Sequence, residues 1–139
     1  MARTVFRNDR HRVIAVDTSA LMAIALGEAE AEACIGILEA EPEVLISAAT
    51  VAEALIVAAR RNLADEVARL IEGLGFEVVP VTQASARRVA DAYGRWGKGV
   101  HSAGLNFGDC FAYEIAKEHS CGLLFVGEDL RKTDLKCVL

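Results

Sequence analysis

Four acidic residues, Asp17, Glu53, Asp109 and Asp129, are the part of this sequence best suited to chemistry. Asp17 and Asp129 follow short apolar runs, VIAV and LLFV, that predict buried strands. Glu53 and Asp109 come in the first turns of predicted helices. In a parallel α/β fold these positions share one edge of the sheet. Four carboxylates gathered there would repel one another, and Mg²⁺ or Mn²⁺, which prefer oxygen ligands, would remove that cost.

Each of these acids also has an ordinary structural interpretation. Asp17 can cap the helix that follows it. Residues 50–53 (TVAE) fit a capping box, in which the glutamate bonds back to the cap residue. Residues 106–109 (NFGD) place an acid in a first helical turn, where the helix dipole favours it. Asp129 can be a simple turn residue. The joint placement of the four, rather than any single one, therefore predicts the metal site.

The elements that would position these acids alternate between short apolar strands and amphipathic helices. This alternation predicts an α/β fold, a three-layer sandwich with a central, mostly parallel β-sheet flanked by helices. Residues 97–104 (GKGVHSAG), with three glycines, predict a loop. The predicted strands are 13–16, 44–46, 76–81, 123–126 and 136–139. The predicted helices are 20–26, 29–40, one that Ser47 or Thr50 would cap and that runs to about 61, one that begins at Asn62 or Asp65 and is closed by Gly73 and Gly75, 84–96 and 107–119.

Length and composition indicate one globular domain over 13–139, preceded by an N-terminal extension, 1–12. The chain has 139 residues, of which 53% are hydrophobic and 25% charged, as in ordinary globular proteins. A net charge of −5 argues against broad phosphate neutralisation but allows a few local basic contacts. The N-terminus lacks the apolar stretch of a secretory signal, and no run is long enough for a membrane span, so we expect a cytoplasmic protein.

The cysteines and histidines offer no competing site. No CxxC motif and no zinc-type spacing with histidine occurs, so reduced core thiols are favoured over a disulfide or a zinc site. His101 lies in the predicted loop and His119 at a helix end, and neither has a partner that suggests general-base work. The cysteines are Cys34, Cys110, Cys121 and Cys137.

Several segments in their order resemble the PIN domain, and in particular the toxin nucleases of the VapC type. The segments are VIAVDTSALMAI, SAATVAEAL and LNFGDCFAYEIAKEHSCGLLFVGEDLRKTDL. The motifs are short, but together they are quite specific, and the resemblance covers the chain from about Val13 onward. Leu130 stands where this family commonly has phenylalanine, which is a packing change.

The resemblance implies hydrolysis of RNA phosphodiester bonds with Mg²⁺ or Mn²⁺. Asp17, Asp109 and Asp129 would be metal ligands, and Glu53 would complete the site. Thr18 or Ser19 matches the hydroxyl that supports the first aspartate. The resemblance to VapC-type toxins also implies that a cognate antitoxin binds the protein and that the protein forms a homodimer. Asn106 would support the site. RNA contacts would fall to basic residues near the acids, each of which has the ordinary interpretation of a solvated surface charge: Arg60, Arg95, Lys98 and Arg131.

Other functions fit the residues less well. A receiver-type phosphoacceptor domain would have an acidic pair near the first strand and a late lysine after a strand, and neither is present. A phosphatase with an aspartate nucleophile would want a second aspartate where Ser19 stands. A PIN-like RNA- or protein-binding module without significant catalysis remains the alternative. The apolar stretch 48–74 is explained equally well as core and as an exposed groove for a partner helix.

Overall fold

The fold is built on a four-stranded parallel sheet. A computed structural model describes residues 13–139, so the predicted N-terminal extension lies outside the described part. Every neighbouring pair of strands is parallel, and the strand order is β3-β2-β1-β4. The strands are β1 (Val13–Val16), β2 (Glu43–Ser47), β3 (Glu77–Val79) and β4 (Gly122–Leu124).

Six helices cover the sheet on both faces, which confirms the predicted three-layer α/β sandwich. Because side chains alternate along a strand, Ile14 and Val16 of β1 pack into one core and Ala15 packs into the other. The first core is covered by α1 to α4, and the second by α5 and α6. The helices are α1 (Thr18–Leu26), α2 (Ala31–Ala40), α3 (Ala48–Ala59), α4 (Ala64–Gly73), α5 (Gln83–Trp96) and α6 (Phe107–Glu118).

Four of the predicted strands differ from the structure, and the one predicted over 44–46 is one residue longer at each end, as β2. The strand predicted over 76–81 is only β3, and Pro80, which cannot donate to a ladder, lies just after it. The strand predicted over 123–126 is β4, one residue earlier and shorter. The prediction of a strand over 136–139 is wrong. That segment forms a single parallel bridge, Leu123 to Cys137, because only its middle backbone groups meet β4.

The four cysteines are free thiols, two of them fully buried, Cys34 and Cys110. Burial raises the pKa of the Cys110 thiol to about 11, so this thiol stays protonated at neutral pH. Within residues 13–139 no helix is both long and apolar enough to cross a bilayer.

Candidate active site

Asp17 lies at the carboxyl end of β1, where the chain turns into α1. Its backbone N–H donates to the carbonyl of Leu124 in β4 at 3.0 Å. Its carboxylate Oδ2 accepts from the Ser19 N–H at 3.1 Å and from Ser19 Oγ at 2.7 Å. Asp17 is therefore a helix cap, as the structural interpretation predicted. However, Asp17 is only 4% exposed, and burial raises its pKa to about 6. Burial of an ionised carboxylate is costly, and a residue that only caps a helix does not require it.

Ser19 connects Asp17 to the end of the neighbouring strand. Its hydroxyl donates to Asp17 Oδ2 and accepts from the Val126 N–H at 3.0 Å, just after β4. One side chain thus fixes both the orientation of the Asp17 carboxylate and the position of the segment that leads to Asp129.

Replacement of Ser19 by alanine tests this connection. Asp17 keeps the Ser19 backbone donor but loses the hydroxyl, and the Val126 N–H loses its acceptor. We expect the RNA cleavage that the resemblance implies to fall about 10- to 100-fold, the range typical of groups that orient a ligand, and stability to fall by ~1–3 kcal/mol. Cleavage kinetics and urea denaturation measure the two effects. Ser19→Thr, which keeps the hydroxyl, serves as the control, and wild-type cleavage by Ser19→Ala would contradict the assignment.

Glu53 has a different role from the one that its local sequence predicts. The capping-box interpretation of residues 50–53 is wrong, because Ser47 caps α3 by accepting from the Ala49 N–H at 3.2 Å. Thr50 lies inside the helix, so Glu53 is one turn further along. Glu53 Oε1 instead accepts from Thr18 Oγ1 at 2.7 Å. Of the two hydroxyls expected near Asp17, Ser19 therefore holds Asp17 and Thr18 holds Glu53.

Asp109 forms a reciprocal capping box with Asn106 at the start of α6. The Asp109 N–H donates to Asn106 Oδ1 at 2.8 Å, and Asp109 Oδ2 accepts from the Asn106 N–H at 2.9 Å. The predicted position in the first helical turn is confirmed, and Asp109 is also part of the cap. In addition, burial and the nearby carboxylates of Glu53 and Asp129 raise the pKa of Asp109.

Asp129 is exposed and precedes a short 3-10 helix, Leu130–Lys132. Its carboxylate makes no capping hydrogen bond to that helix.

A chain of hydrogen bonds connects the segment after the 3-10 helix to α5 and α6. Trp96 Nε1 donates to Tyr113 Oη at 2.9 Å, and Tyr113 Oη donates to Asp134 Oδ1 at 2.7 Å. Burial raises the pKa of Tyr113 to about 12, so it remains a donor.

Asp109 is electrostatically linked to each of the other three acids. The charges of Asp109 and Glu53 both raise the pKa of Asp17, in addition to the larger effect of burial. The charges of Glu53 and Asp129 do the same for Asp109. The sheet edge predicted from the sequence therefore brings these carboxylates near one another.

The donor chemistry of these acids fits a hard divalent cation. All are oxygen donors, and Asp17, Glu53 and Asp109 each use one carboxylate oxygen for a protein donor. Over residues 13–139, however, no three histidine, cysteine or acidic side chains are arranged as a ready-made metal site. Ligation of one ion would therefore require the carboxylates to turn toward one another, which their mutual repulsion opposes until a cation is present.

The predicted RNA-binding residues are all exposed, but two of them already make contacts within the chain. Arg95 lies over the ring of Trp96, 4.9 Å from its centroid. Arg131 lies over Phe125 at 5.3 Å and donates to the Leu139 carbonyl at 3.2 Å. Arg60 follows α3, and Lys98 lies in the loop after α5.

Comparison with known proteins agrees with this architecture. The family model described as PIN domain matches residues 14–136. Ribonuclease VapC of Mycolicibacterium smegmatis is 40% identical over 129 residues, which cover 88% of this chain and 98% of that protein. The chain therefore belongs to the PIN-domain family, among its VapC ribonucleases.

Two solved structures share the fold at lower sequence identity. Mycobacterium tuberculosis VapC20, described as a Sarcin-Ricin loop cleaving toxin, has a TM-score of 0.74 at 18% identity and covers 90% of this chain and 98% of its own. A toxin–antitoxin complex from Klebsiella pneumoniae contains a chain with a TM-score of 0.66 at 19% identity, covering 87% of this chain and 92% of its own. At these identities the likeness is one of fold.

Proposed function

We propose that this protein is a Mg²⁺- or Mn²⁺-dependent endoribonuclease and the toxin of a toxin–antitoxin pair. The observation that carries the proposal is the buried Asp17 carboxylate, which lies near two further acids at the carboxyl edge of a parallel sheet. A buried acid with a raised pKa and acidic neighbours is costly for a purely structural role, and such groups cluster at functional sites. The membership among VapC ribonucleases supports RNA as the substrate.

In this proposal, Asp17, Asp109 and Asp129 would hold the cation, and Glu53 would complete the site. The bound cation would lower the pKa of water and offset the charge that builds on the phosphate. Ser19 orients the Asp17 carboxylate from one side. Thr18 holds Oε1 of Glu53 and so fixes the position of the carboxylate that would complete the site.

RNA binding would depend on a small number of basic residues, since the chain carries 15 basic and 20 acidic residues. Few phosphate contacts imply a weak dependence of binding on salt concentration. Lys98 and Arg60 are the better candidates, because Arg95 and Arg131 are already engaged with Trp96 and Phe125.

The direct experiment measures the metal dependence of RNA cleavage and maps the cleaved ends. Wild type is incubated with total RNA in chelator, and then with added Mg²⁺ or Mn²⁺, with Asp17→Ala as the blank. We expect defined 5′ and 3′ ends that appear only with the metal and only in wild type. Metal-independent ends, or ends shared with the blank, would contradict the proposal. Tight RNA binding without cleavage would support the alternative of a non-catalytic PIN-like module.

We also propose that an antitoxin covers the acidic site. The Klebsiella pneumoniae chain of the same fold is part of a toxin–antitoxin complex. An antitoxin segment that reaches the site would need basic residues, because four acids lie there.

A homodimer is the second proposed assembly, and an exposed apolar surface beside α3 and α6 supports it. Ile56 is 57% exposed, Phe107 73% and Val81 42%, and these three side chains line one continuous groove. The apolar stretch 48–74 therefore contributes to an exposed surface as well as to the core. Contiguous apolar surfaces of this kind mark interaction sites, and a second copy would bring an identical apolar surface.

Ile56→Gln tests the dimer. We expect wild type to run at about 30 kDa, twice the 14.9 kDa of one chain, and Ile56→Gln to shift toward the monomer in light scattering at micromolar concentration. Val100→Gln, at an equally exposed residue of the loop (59%), should leave the mass unchanged. A monomeric wild type, or an Ile56→Gln variant that remains fully dimeric, would contradict this interface.

A further inference from the structure

Gly108 has no conformational reason to be a glycine. It is the second residue of α6, and it is absent from the glycines with positive φ among residues 13–139. Alanine is the better helix former, since it loses less conformational freedom on folding. The reason for glycine must therefore lie in what surrounds it.

The carboxylate of Glu53 occupies the space that a side chain at this position would need. A β-carbon on Gly108 would lie 2.6 Å from Glu53 Cδ and 2.8 Å from Oε1, and closer still to Oε2. Real β-carbons essentially never approach within 3.0 Å. The other helical glycines, Gly36, Gly73 and Gly94, have nothing within 4 Å of such a carbon. Among the helical glycines of residues 13–139, the close approach thus occurs only between Gly108 and Glu53.

Glu53 is consequently held between the first turns of two helices. On one side Thr18, the first residue of α1, donates to Oε1 at 2.7 Å. On the other side the carboxylate lies against the backbone of α6 at Gly108, where the positive end of the helix dipole favours a negative charge. A methyl group at Gly108 would push the carboxylate away from both.

We propose that Gly108 is a positioning residue, which leaves room for the Glu53 carboxylate between α1 and α6. The inference that this position matters for cleavage rests on the proposed function. The spatial claim does not, because it concerns only the packing of one carboxylate against one helix turn.

Gly108→Ala should separate stability from activity. The nearest atoms are the far end of a flexible side chain, so Glu53 can rotate away and the backbone can stay in place. The Glu53 carboxylate then loses the hydrogen bond from Thr18 and leaves its position in the site. We therefore expect RNA cleavage to fall about 10- to 100-fold. Gly94→Ala in α5 is the matched control and should cleave RNA at the wild-type rate. Cleavage by Gly108→Ala at the wild-type rate would overturn the proposal.

A double-mutant cycle that is measured by Tm tests the packing of Glu53 against Gly108 and needs no activity assay. In a Glu53→Ala background the space is empty, so Gly108→Ala should raise Tm by about 2–4 °C, as expected for an ordinary helical Gly→Ala change. In the wild-type background, the change in Tm caused by Gly108→Ala should be at least ~3 °C lower than the change in the Glu53→Ala background. Gly94→Ala should give the same shift in both backgrounds.

Equal shifts of Gly108→Ala in the two backgrounds would overturn the proposal. If wild type does not cleave RNA, the proposed function fails, and the double-mutant cycle still decides the role of Gly108. If wild type cleaves and the cycle shows no coupling, the proposed function stands and the positioning role is wrong.

Discussion

Asp109→Asn is expected to reduce Mg²⁺-dependent RNA cleavage by more than about a hundredfold, beyond the upper range for groups that only support a ligand. Asparagine keeps an oxygen that can accept from the Asn106 N–H, a bond of 2.9 Å in the native protein, so the cap of α6 is retained. What the substitution removes is the negative charge. A loss of cleavage in a folded variant would therefore report on the charge at this position.

The control for this prediction is Asp65→Asn. Asp65 is an exposed acid in the first turn of α4, so the same change is made in the first turn of another helix. We expect Asp65→Asn to cleave RNA like wild type. Cleavage rates under single-turnover conditions, together with Tm, give the comparison, and full retention of Mg²⁺-dependent cleavage by Asp109→Asn would contradict its role.

Asp17→Asn is expected to stabilise the metal-free protein at neutral pH. Burial raises the pKa of Asp17 from its ordinary 3.8 to about 6, so the native state binds this proton more tightly than the unfolded state. The stabilisation from the protonated form is complete below pH 4 and is lost as the pH rises to about 6. A shift of about two pKa units corresponds to ~3 kcal/mol, which the neutral asparagine would avoid.

Urea denaturation in the presence of chelator, from pH 4 to 7.5, measures this effect. Asp17→Asn should gain ~1–3 kcal/mol over wild type at pH 7.5, allowing for one weakened hydrogen bond to Ser19, and the gain should vanish near pH 4. Asp65→Asn should show no such pH-dependent difference. A variant that is less stable than wild type at pH 7.5 would mean that the ionised carboxylate is not costly in the native protein.

The positions of the acids could be predicted from the sequence because they depend on local patterns. VIAV and LLFV are short apolar runs in which β-branched or large side chains fill both faces of a sheet, and Asp17 must then emerge at the end of its strand. Asn106 and Asp109 are spaced as a capping box, and the structure contains that box. The sequence of a few neighbouring residues is therefore enough to predict these strand ends and this helix cap.

The partners of the acids could not be predicted in the same way. Ser47 and Thr50 are both good helix caps, and only the end of β2 selects Ser47. The bond from Thr18 to Glu53 joins residues 35 positions apart, so no local pattern contains it. The GD pair of the family motif is visible in the sequence, but the reason for Gly108 lies in a carboxylate from another helix.

The strand predicted at the edge of the sheet, over 136–139, also depends on contacts that the local sequence does not contain. Residues 136–139 have the apolar character of a strand, yet they make only one bridge to β4. Just before this segment, the chain is held by the hydrogen bond from Tyr113 Oη to Asp134 Oδ1, which joins residues far apart in the sequence. Tertiary contacts of this kind override local propensity.

The buried Asp17 carboxylate and its acidic neighbours form the proposed metal site, and calorimetric titration with Mn²⁺ measures whether they bind a metal ion. The titration is performed on metal-free wild type, Asp17→Asn and Asp109→Asn at pH 7.5. We predict saturable binding by wild type and affinities at least about a hundredfold weaker in both variants, because each removes a charged oxygen ligand. No binding by wild type, or equal binding by all three proteins, would contradict the claim that these acids form one metal site.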